Sequence, residues 1–551
     1  MAIKDTASVT VRELLDVLRA QGIATMVLSP GSRNTPLLVG AAAREDITKY
    51  VINDERTAAF TALGIAMASR QPVALICTSG TALYNYAPAV AEAYYQHIPL
   101  IIISADRPLE TVGQQPQTLL QHGALDKIVK KSFDIPFYPE DNNEIPAFDI
   151  AEKYSNLIAN EAYITAVSGV KGPVHINVHI GGEFNKAANY EETRSIRIIR
   201  NVFSNSALAP HIMRDIANYL CDKKIMIIAG SMLPDDRLNK AMVNLSTLAN
   251  VCVIADPSSN LHLDRRIFLE GNISQYNDKS LKPDVVIALG GIPLSENVKR
   301  FVQQLNDIEF WSFADNWPSL DWSDKLTCHF DLYPAPFLRI MSILLRKRIK
   351  ANDIMLAYKE EWFKVFDKIE KNNAKYLNQD VWNEETVYAK LFSSIPSEVN
   401  LFLSNGLTVR YANKFIKHIP HNCWANRGVS GIDGTNATAF GASLCYRGIT
   451  LLVTGDMSFS YNTEILNLSR LGGDLRIIVI NNRGGGIFRK INTTRDIEIR
   501  EEYFCNDPQL PLQKLCDAYG WNYVSADSFD SLDIAFAKLL NTHKTLIEIK
   551  L

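Results

Sequence analysis

The residues best suited to chemistry stand at the ends of two apolar runs in the C-terminal third of the chain. The run "ITLLVTGD" closes on Gly455-Asp456, and "LRIIVI" closes on Asn481-Asn482, followed by Arg483-Gly484-Gly485-Gly486. Such runs read as buried parallel strands, and open α/β sheets bind their ligands beyond the strand carboxyl ends. Only one loop and helix, "MSFSYNTEILNLSRLGG", separates the two motifs, so neighbouring strand ends set Asp456 beside Asn482. A carboxylate, an amide oxygen and a carbonyl of the glycine turn are hard oxygen ligands suited to Mg²⁺ shared with phosphate groups. Glycines let the backbone approach a diphosphate, and the next helix N-terminus favours its charge. Either motif alone is an ordinary turn; their joint placement points to a metal-diphosphate site. No G-x-x-x-x-G-K-S/T is present and no strand is followed by G-x-G-x-x-G, which argues against a P-loop and weakens a dinucleotide reading.

The elements that must position these groups follow from the apolar pattern. A chain of 551 residues exceeds what one core supports. With 47% hydrophobic and 21% charged residues and a formal net charge of −3, it reads as an ordinary globular protein without the basic excess of a nucleic-acid binder. No apolar run is long enough to span a bilayer and Met1–Asp5 opens no signal-peptide core, so a cytoplasmic location is expected, with no membrane partner. Eight cysteines without a C-x-x-C pair read as buried small hydrophobes rather than zinc ligands or disulfides.

Three α/β units are expected. The first holds the strands "IATMVLS", "VALICTS" and "LIIISADRP", a helix from about Glu55 to Ser69, and another through "YNYAPAVAEAYYQ". A polar linker over about 185–200 leads to the second, with "KIMIIAGS", "VCVIAD", "DVVIALGG" and "FWSFAD". A polar helical stretch over roughly 352–378 leads to the third, with "NLFLSN", "ITLLVTGD" and "LRIIVINN". Alternation of this kind predicts doubly wound parallel sheets covered on both faces.

The Gly-Asp and Asn spacing resembles the thiamin-diphosphate motif. In that superfamily a Glu of the pyrimidine-binding domain hydrogen-bonds the aminopyrimidine ring and helps activate the cofactor. Glu55 is the candidate, although an arbitrary Glu there would serve only the helix dipole. "SPGSRNTPL", "DERTAAFTALGIA", "TSGTALYNYAPAVAEAYYQHIPLIIISADRP", "NRGVSGIDG" and "GDMSF…NNRGGGIF" narrow the resemblance to the 2-succinyl-5-enolpyruvyl-6-hydroxy-3-cyclohexene-1-carboxylate synthase family of menaquinone biosynthesis. It spans nearly the whole chain, the middle unit matching mainly through Lys299-Arg300.

The resemblance implies a pyrimidine-binding domain over 1–183, a central Rossmann-like domain over 200–350 and a diphosphate-binding domain over 380–551. It implies decarboxylation of 2-oxoglutarate on thiamin diphosphate and conjugate addition of the succinyl carbanion equivalent to isochorismate. Asp456, Asn482 and Gly484 would hold Mg²⁺ or Mn²⁺. Glu55, Gln117, Asn405, Ser430, Gly431, Ile432, Gly455, Met457 and Ser458 would surround the cofactor, with Gln121 the rival to Gln117. Both substrates are dicarboxylates, which guanidinium groups clamp well. Ser32, Arg33, Arg107 and Lys299 would meet isochorismate; Arg300, Arg410 and Arg427 would hold the oxoglutarate-derived carboxylates; Ile487 and Phe488 would form an apolar wall. A homodimer is the implied minimum, paired further into a homotetramer.

The chain departs from the family's pattern at Gly406, where a diphosphate-contacting Ser is common, and in a "GQQPQTLLQHG" stretch one residue shorter than in some relatives. Two competing readings stay open. One is another thiamin-diphosphate 2-oxoacid lyase or synthase, whose monocarboxylate substrates would not need Arg33, Arg107, Arg410 and Arg427 together. The other is a non-catalytic ligand-binding relative, against which Glu55, Asp456 and Asn482 speak.

Overall fold

The computed structural model describes residues 4–138, 145–182, 184–189, 195–202, 207–264, 279–313, 321–349 and 353–551. Three parallel sheets organise them. The first runs Thr48–Val51, Thr25–Leu28, Val73–Cys77, Leu100–Asp106, Val174–His179, Ser132–Ile135. The middle sheet runs Val251–Ala255, Ile225–Ala229, Val285–Leu289, Glu309–Phe313, Leu326–Phe330. The third runs Asn422–Ala425, Asn400–Leu403, Thr450–Gly455, Leu475–Asn481, Thr545–Lys550, Asn522–Ala526. With strands numbered along the chain within each sheet, the first and third share the order 2-1-3-4-6-5 and the middle one is 2-1-3-4-5.

By packing, these residues form two compact units. One comprises Met1–Phe203, Asn426–Arg447 and Tyr461–Leu475, and the other Ser204–Ala425, Gly448–Ser460 and Arg476–Leu551. In the first unit the strand Leu100–Asp106 is buried along its whole length, as expected of a central parallel strand. The helix Glu55–Ser69 starts where the Asp54 side chain accepts from the Thr57 amide at 2.8 Å. Residues Thr57–Met67 are all buried. This burial is reached against the helix Thr435–Ser443, and small residues make it possible. A Cβ on Gly64 would stand 1.9 Å from the Thr438 carbonyl oxygen, and one on Gly441 would stand 2.1 Å from that of Thr61.

Four expectations change in detail. The helix expected through 84–96 is two, Thr81–Asn85 and Ala87–Tyr95, because Pro88 cannot donate within a continuous helix and instead opens the second one. The 185–200 segment is not a free linker: Ala187–Asn189 pairs antiparallel with Lys4–Thr6, and Ile196 and Ile198 pack on the first core. The polar helix Asp353–Ala374 buries Tyr358 and Trp362 against the middle sheet, and Trp362 Nε1 donates to the Leu281 carbonyl at 3.0 Å. In "FWSFAD" the strand starts at Glu309, and Ala314 and Asp315 lie outside the described residues. No disulfide joins any of the eight cysteines; five are buried, Cys221 and Cys328 are half-buried, and Cys445 is exposed. Among the described residues, no helix is long and apolar enough to cross a membrane.

Candidate active site

In the first unit, the expected groups gather at the carboxyl ends of the sheet. Ser32 and Arg33 follow the strand Thr25–Leu28. Arg33 is half-buried, donates from Nη1 to the Ile180 carbonyl at 3.0 Å, and lies 4.6 Å from the Phe184 ring centroid. Burial and then the neighbouring Arg107 charge press its pKa down, with Asp106 opposing. Two guanidinium groups therefore share one strand-end region, an arrangement that gains from an anion. Arg107 is fastened from several sides. Its amide donates to Asp106 Oδ1 at 2.7 Å, its Nε to the Pro116 carbonyl at 3.1 Å and its Nη1 to Gln115 Oε1 at 2.6 Å.

The two candidate glutamines separate cleanly. Gln121 is 1% exposed and its amide is committed: Oε1 accepts from the Gly80 amide at 2.7 Å, and Nε2 donates to the Ala105 carbonyl and to Asn177 Oδ1, both at 3.0 Å. Gln117 is exposed, with φ of 56°. Such a backbone is strained for a non-glycine residue and recurs at ligand sites. Glu55 sits half-buried at the helix mouth. Its charge adds to the burial that raises the Cys77 thiol and Tyr86 hydroxyl well above their ordinary range.

Arg427, Ser430, Gly431 and Ile432 belong to this unit through a carboxylate that sequence reasoning missed. Glu92, 1% exposed, accepts from the amides of Gly428 at 2.6 Å and Val429 at 2.8 Å. Burial raises its pKa, opposed by those bonds, by Gln96 and by the Arg427 charge. It thereby fixes the loop that carries Arg427 and Ser430, the latter at φ 61°. Nothing local in "AVAEAYYQ" announces this role, since the partners lie 336 residues away.

In the second unit, Asp456 ends the strand Thr450–Gly455 and opens the short helix Asp456–Ser460. Its Oδ1 accepts from the Met457 amide and its Oδ2 from the Gly484 amide, both at 2.7 Å, which ties two neighbouring strand ends together. The carboxylate is 2% exposed, and burial pushes its pKa up to about 6 against those two bonds. A buried carboxylate of this kind favours a cation beside it. Asn482 donates from Nδ2 to Glu384 Oε1 at 2.9 Å, so its other amide atom, Oδ1, is the acceptor left for a metal. Glu384 is held in turn by Lys490 Nζ at 2.6 Å and the Tyr411 hydroxyl at 3.1 Å. Asp456, Asn482 Oδ1 and the Gly484 carbonyl, which also accepts from the Gly486 amide at 2.8 Å, are oxygen donors of the kind that Mg²⁺ with a diphosphate would take. The Asn383/Thr386 capping box that starts the helix Glu384–Ser394 was the available sign of Glu384's first-turn position.

The departure at Gly406 has a backbone reason. It caps the helix Leu407–Phe415 with φ 98° and ψ −131°, a conformation open to glycine and costly for Ser. Asn405 and Ser458 are buried beside these strand ends, and the Gly455 amide donates to Ser404 Oγ at 3.3 Å. Arg410 folds back, its Nη1 donating to the Gly406 carbonyl at 2.6 Å. Ile487 and Phe488 are half-buried, with Phe488 packed 5.6 Å from the Phe504 ring. Lys299 and Arg300 lie on the helix Glu296–Gln304, which precedes a strand of the middle sheet. Lys299 pairs with Glu296 there, and Arg300 is exposed.

Residues 10–128 match the family described as thiamine pyrophosphate enzyme, N-terminal TPP binding domain, and residues 404–549 match thiamine pyrophosphate enzyme, C-terminal TPP binding domain. The chain is 33% identical over 534 residues to the 2-succinyl-5-enolpyruvyl-6-hydroxy-3-cyclohexene-1-carboxylate synthase of Porphyromonas gingivalis, covering 94% of this chain and 90% of the relative. It is 30% identical to the protein of the same name from Flavobacterium johnsoniae, covering 97% and 94%. The solved benzoylformate decarboxylase of Polynucleobacter necessarius aligns with a TM-score of 0.70 over 98% of both chains at 17% identity, a likeness of fold. A chain with these strand-end groups and this near-full-length similarity belongs to the 2-succinyl-5-enolpyruvyl-6-hydroxy-3-cyclohexene-1-carboxylate synthase family of thiamin-diphosphate enzymes.

Proposed function

We propose that the protein decarboxylates 2-oxoglutarate on thiamin diphosphate and adds the succinyl carbanion equivalent to isochorismate by 1,4-addition. The products are CO₂ and 2-succinyl-5-enolpyruvyl-6-hydroxy-3-cyclohexene-1-carboxylate, for menaquinone biosynthesis. The observation that supports this reading is the Arg33/Arg107 pair gathered at one strand-end region: Arg33 donates to the Ile180 carbonyl at 3.0 Å, the Ile180 amide donates to the Asp106 carbonyl at 2.8 Å, and Arg107 follows Asp106 directly. A monocarboxylate lyase would not need Arg33, Arg107, Arg410 and Arg427 together.

The bound cofactor supplies a carbon centre able to hold the electron pair left by CO₂. Glu55 holds a proton at the pyrimidine ring. Asp456, Asn482 and the Gly484 carbonyl hold Mg²⁺ or Mn²⁺, and Asn405, Gly455, Met457 and Ser458 line the diphosphate. Ser430, Gly431 and Ile432 shape the cofactor seat, which Gln117 faces. Ser32, Arg33, Arg107 and Lys299 bind isochorismate, Arg300, Arg410 and Arg427 orient the oxoglutarate-derived carboxylates, and Ile487 with Phe488 excludes water. Two copies of the chain complete each site, so a homodimer is the minimum, pairing into a tetramer in the cytoplasm. The domains are 1–183, 200–350 and 380–551.

The test follows isochorismate absorbance after mixing protein, thiamin diphosphate, Mg²⁺, 2-oxoglutarate and isochorismate. Loss that requires both substrates supports the reading. A folded, cofactor-bound protein that consumes no isochorismate refutes it, and consumption of 2-oxoglutarate alone points to a different lyase.

A further inference from the structure

Behind the Arg33/Arg107 pair lies a buried polar network whose hub is His179, the last residue of the strand Val174–His179. Its Nδ1 faces the Arg107 carbonyl, and its Nε2 lies 3.1 and 3.2 Å from the two oxygens of Asp134. A carbonyl and a carboxylate only accept, so each ring nitrogen is placed to donate. Asn177 Nδ2 also approaches Nε2, at 3.4 Å, but its hydrogens are directed to Asp106 Oδ2 at 3.0 Å and Asp134 Oδ1 at 2.9 Å. The doubly protonated ring satisfies the Arg107 carbonyl and the Asp134 carboxylate at once.

The charges around the ring agree. Asp134 comes from the adjoining strand, Asp106 and Arg107 from the end of Leu100–Asp106, and His122 approaches Asp134 at 3.8 Å from the preceding loop. Arg33 reaches the next carbonyl along, that of Ile180. Burial works against the charged imidazole, but Asp134, the Arg107 carbonyl and the Asp106 charge outweigh it and raise the pKa above its ordinary 6.5.

The ring stands where both arginines are anchored. The Arg107 amide is held by Asp106 and its carbonyl by His179. The Ile180 amide donates to the Asp106 carbonyl at 2.8 Å, while its own carbonyl takes the Arg33 guanidinium. If the ring loses a proton, it must either release the Arg107 carbonyl or turn a lone pair on the Asp134 carboxylate.

We propose that His179 is a positioning residue which, as an imidazolium bridging the Arg107 carbonyl and Asp134, holds the Arg33/Arg107 clamp in register for the carboxylates of the acceptor substrate. The proposal rests on the reading that this pair meets isochorismate. It predicts that KM for isochorismate rises with pH as His179 deprotonates, while kcat and KM for 2-oxoglutarate stay nearly flat, because the clamp serves the acceptor alone.

The experiment measures both KM values and kcat for the holoenzyme from pH 6 to 9. The wild type is compared with His179→Gln, Asp134→Asn and Arg107→Ala, with thermal unfolding as the check on folding. His179→Gln should raise KM for isochorismate about tenfold at low pH, the loss of one charge-assisted bond, and abolish its pH dependence. Asp134→Asn should move the rise to lower pH, since the ring loses its counter-charge. A folded His179→Gln enzyme with wild-type KM and an unchanged profile overturns the proposal. Arg107→Ala with unchanged KM for isochorismate instead overturns the substrate reading beneath it, so the two failures are distinguishable. If His179→Gln fails to fold, Asp134→Asn alone decides by whether the rise shifts.

Discussion

The first and third sheets share one strand order and differ in what stands at their carboxyl ends. In each, the order turns between strands one and three, which is where open sheets bind ligands. In the first sheet those ends lead into Ser29–Arg33 and Thr78–Gly80; in the third they lead into Ser404–Gly406 and Gly455–Asp456. A positive-φ glycine, Gly80 or Gly406, starts the following helix in both. One architecture thus carries guanidinium groups and a Glu on one copy, and a buried carboxylate with oxygen donors on the other. Topology sets where a ligand can sit, and a handful of loop side chains sets which ligand it is.

The largest effect that would sharpen this division comes from Glu55→Gln. Turnover should fall about 10²- to 10⁴-fold while metal-dependent thiamin diphosphate affinity, read by calorimetry, stays close to wild type. Asp456→Ala should do the reverse and lower that affinity more than the roughly 10- to 100-fold typical of residues that only support a ligand. If both variants lose the same property, the division of labour between the sheets is broken. Glu384→Ala should fall within that supporting range, because Asn482 then loses the partner that fixes its amide and leaves Oδ1 as the atom a metal would take. Gly406→Ser should cost about 1–3 kcal/mol in urea unfolding. No atom lies within 4 Å of a Cβ built there, so the loss would measure backbone strain alone. The smallest effect concerns pH. The folded pKa of His179 is raised, so its contribution to stability is complete below the ordinary 6.5 and is lost as pH rises through the higher folded value. The stability gap between wild type and His179→Gln, about 1 kcal/mol in acid, should close with rising pH.

The elements that carry the third-sheet motif were legible because apolar runs such as Thr450–Gly455 and Leu475–Asn481 end on unmistakable polar residues. The helix Glu55–Ser69 was equally plain. The strand Val174–His179 escaped notice because its His175, Asn177 and His179 look like surface residues, yet they are buried and bonded to one another's neighbours. Gln121 was a rival to Gln117 until Gly80 and Asn177 claimed its amide. Glu92 and Glu384 act on residues far away in sequence, and no local pattern records such a contact.

The glycine contact between the helices Glu55–Ser69 and Thr435–Ser443 also bears on how the chain comes into being. One helix is made early on the ribosome and its seat is made late. At the usual pace of synthesis, the buried face of the Glu55 helix waits on the order of a minute for the segment that covers it. During that interval the apolar stretch Ala58–Met67 has no native cover on that side and is exposed to the non-native contacts that chaperones suppress.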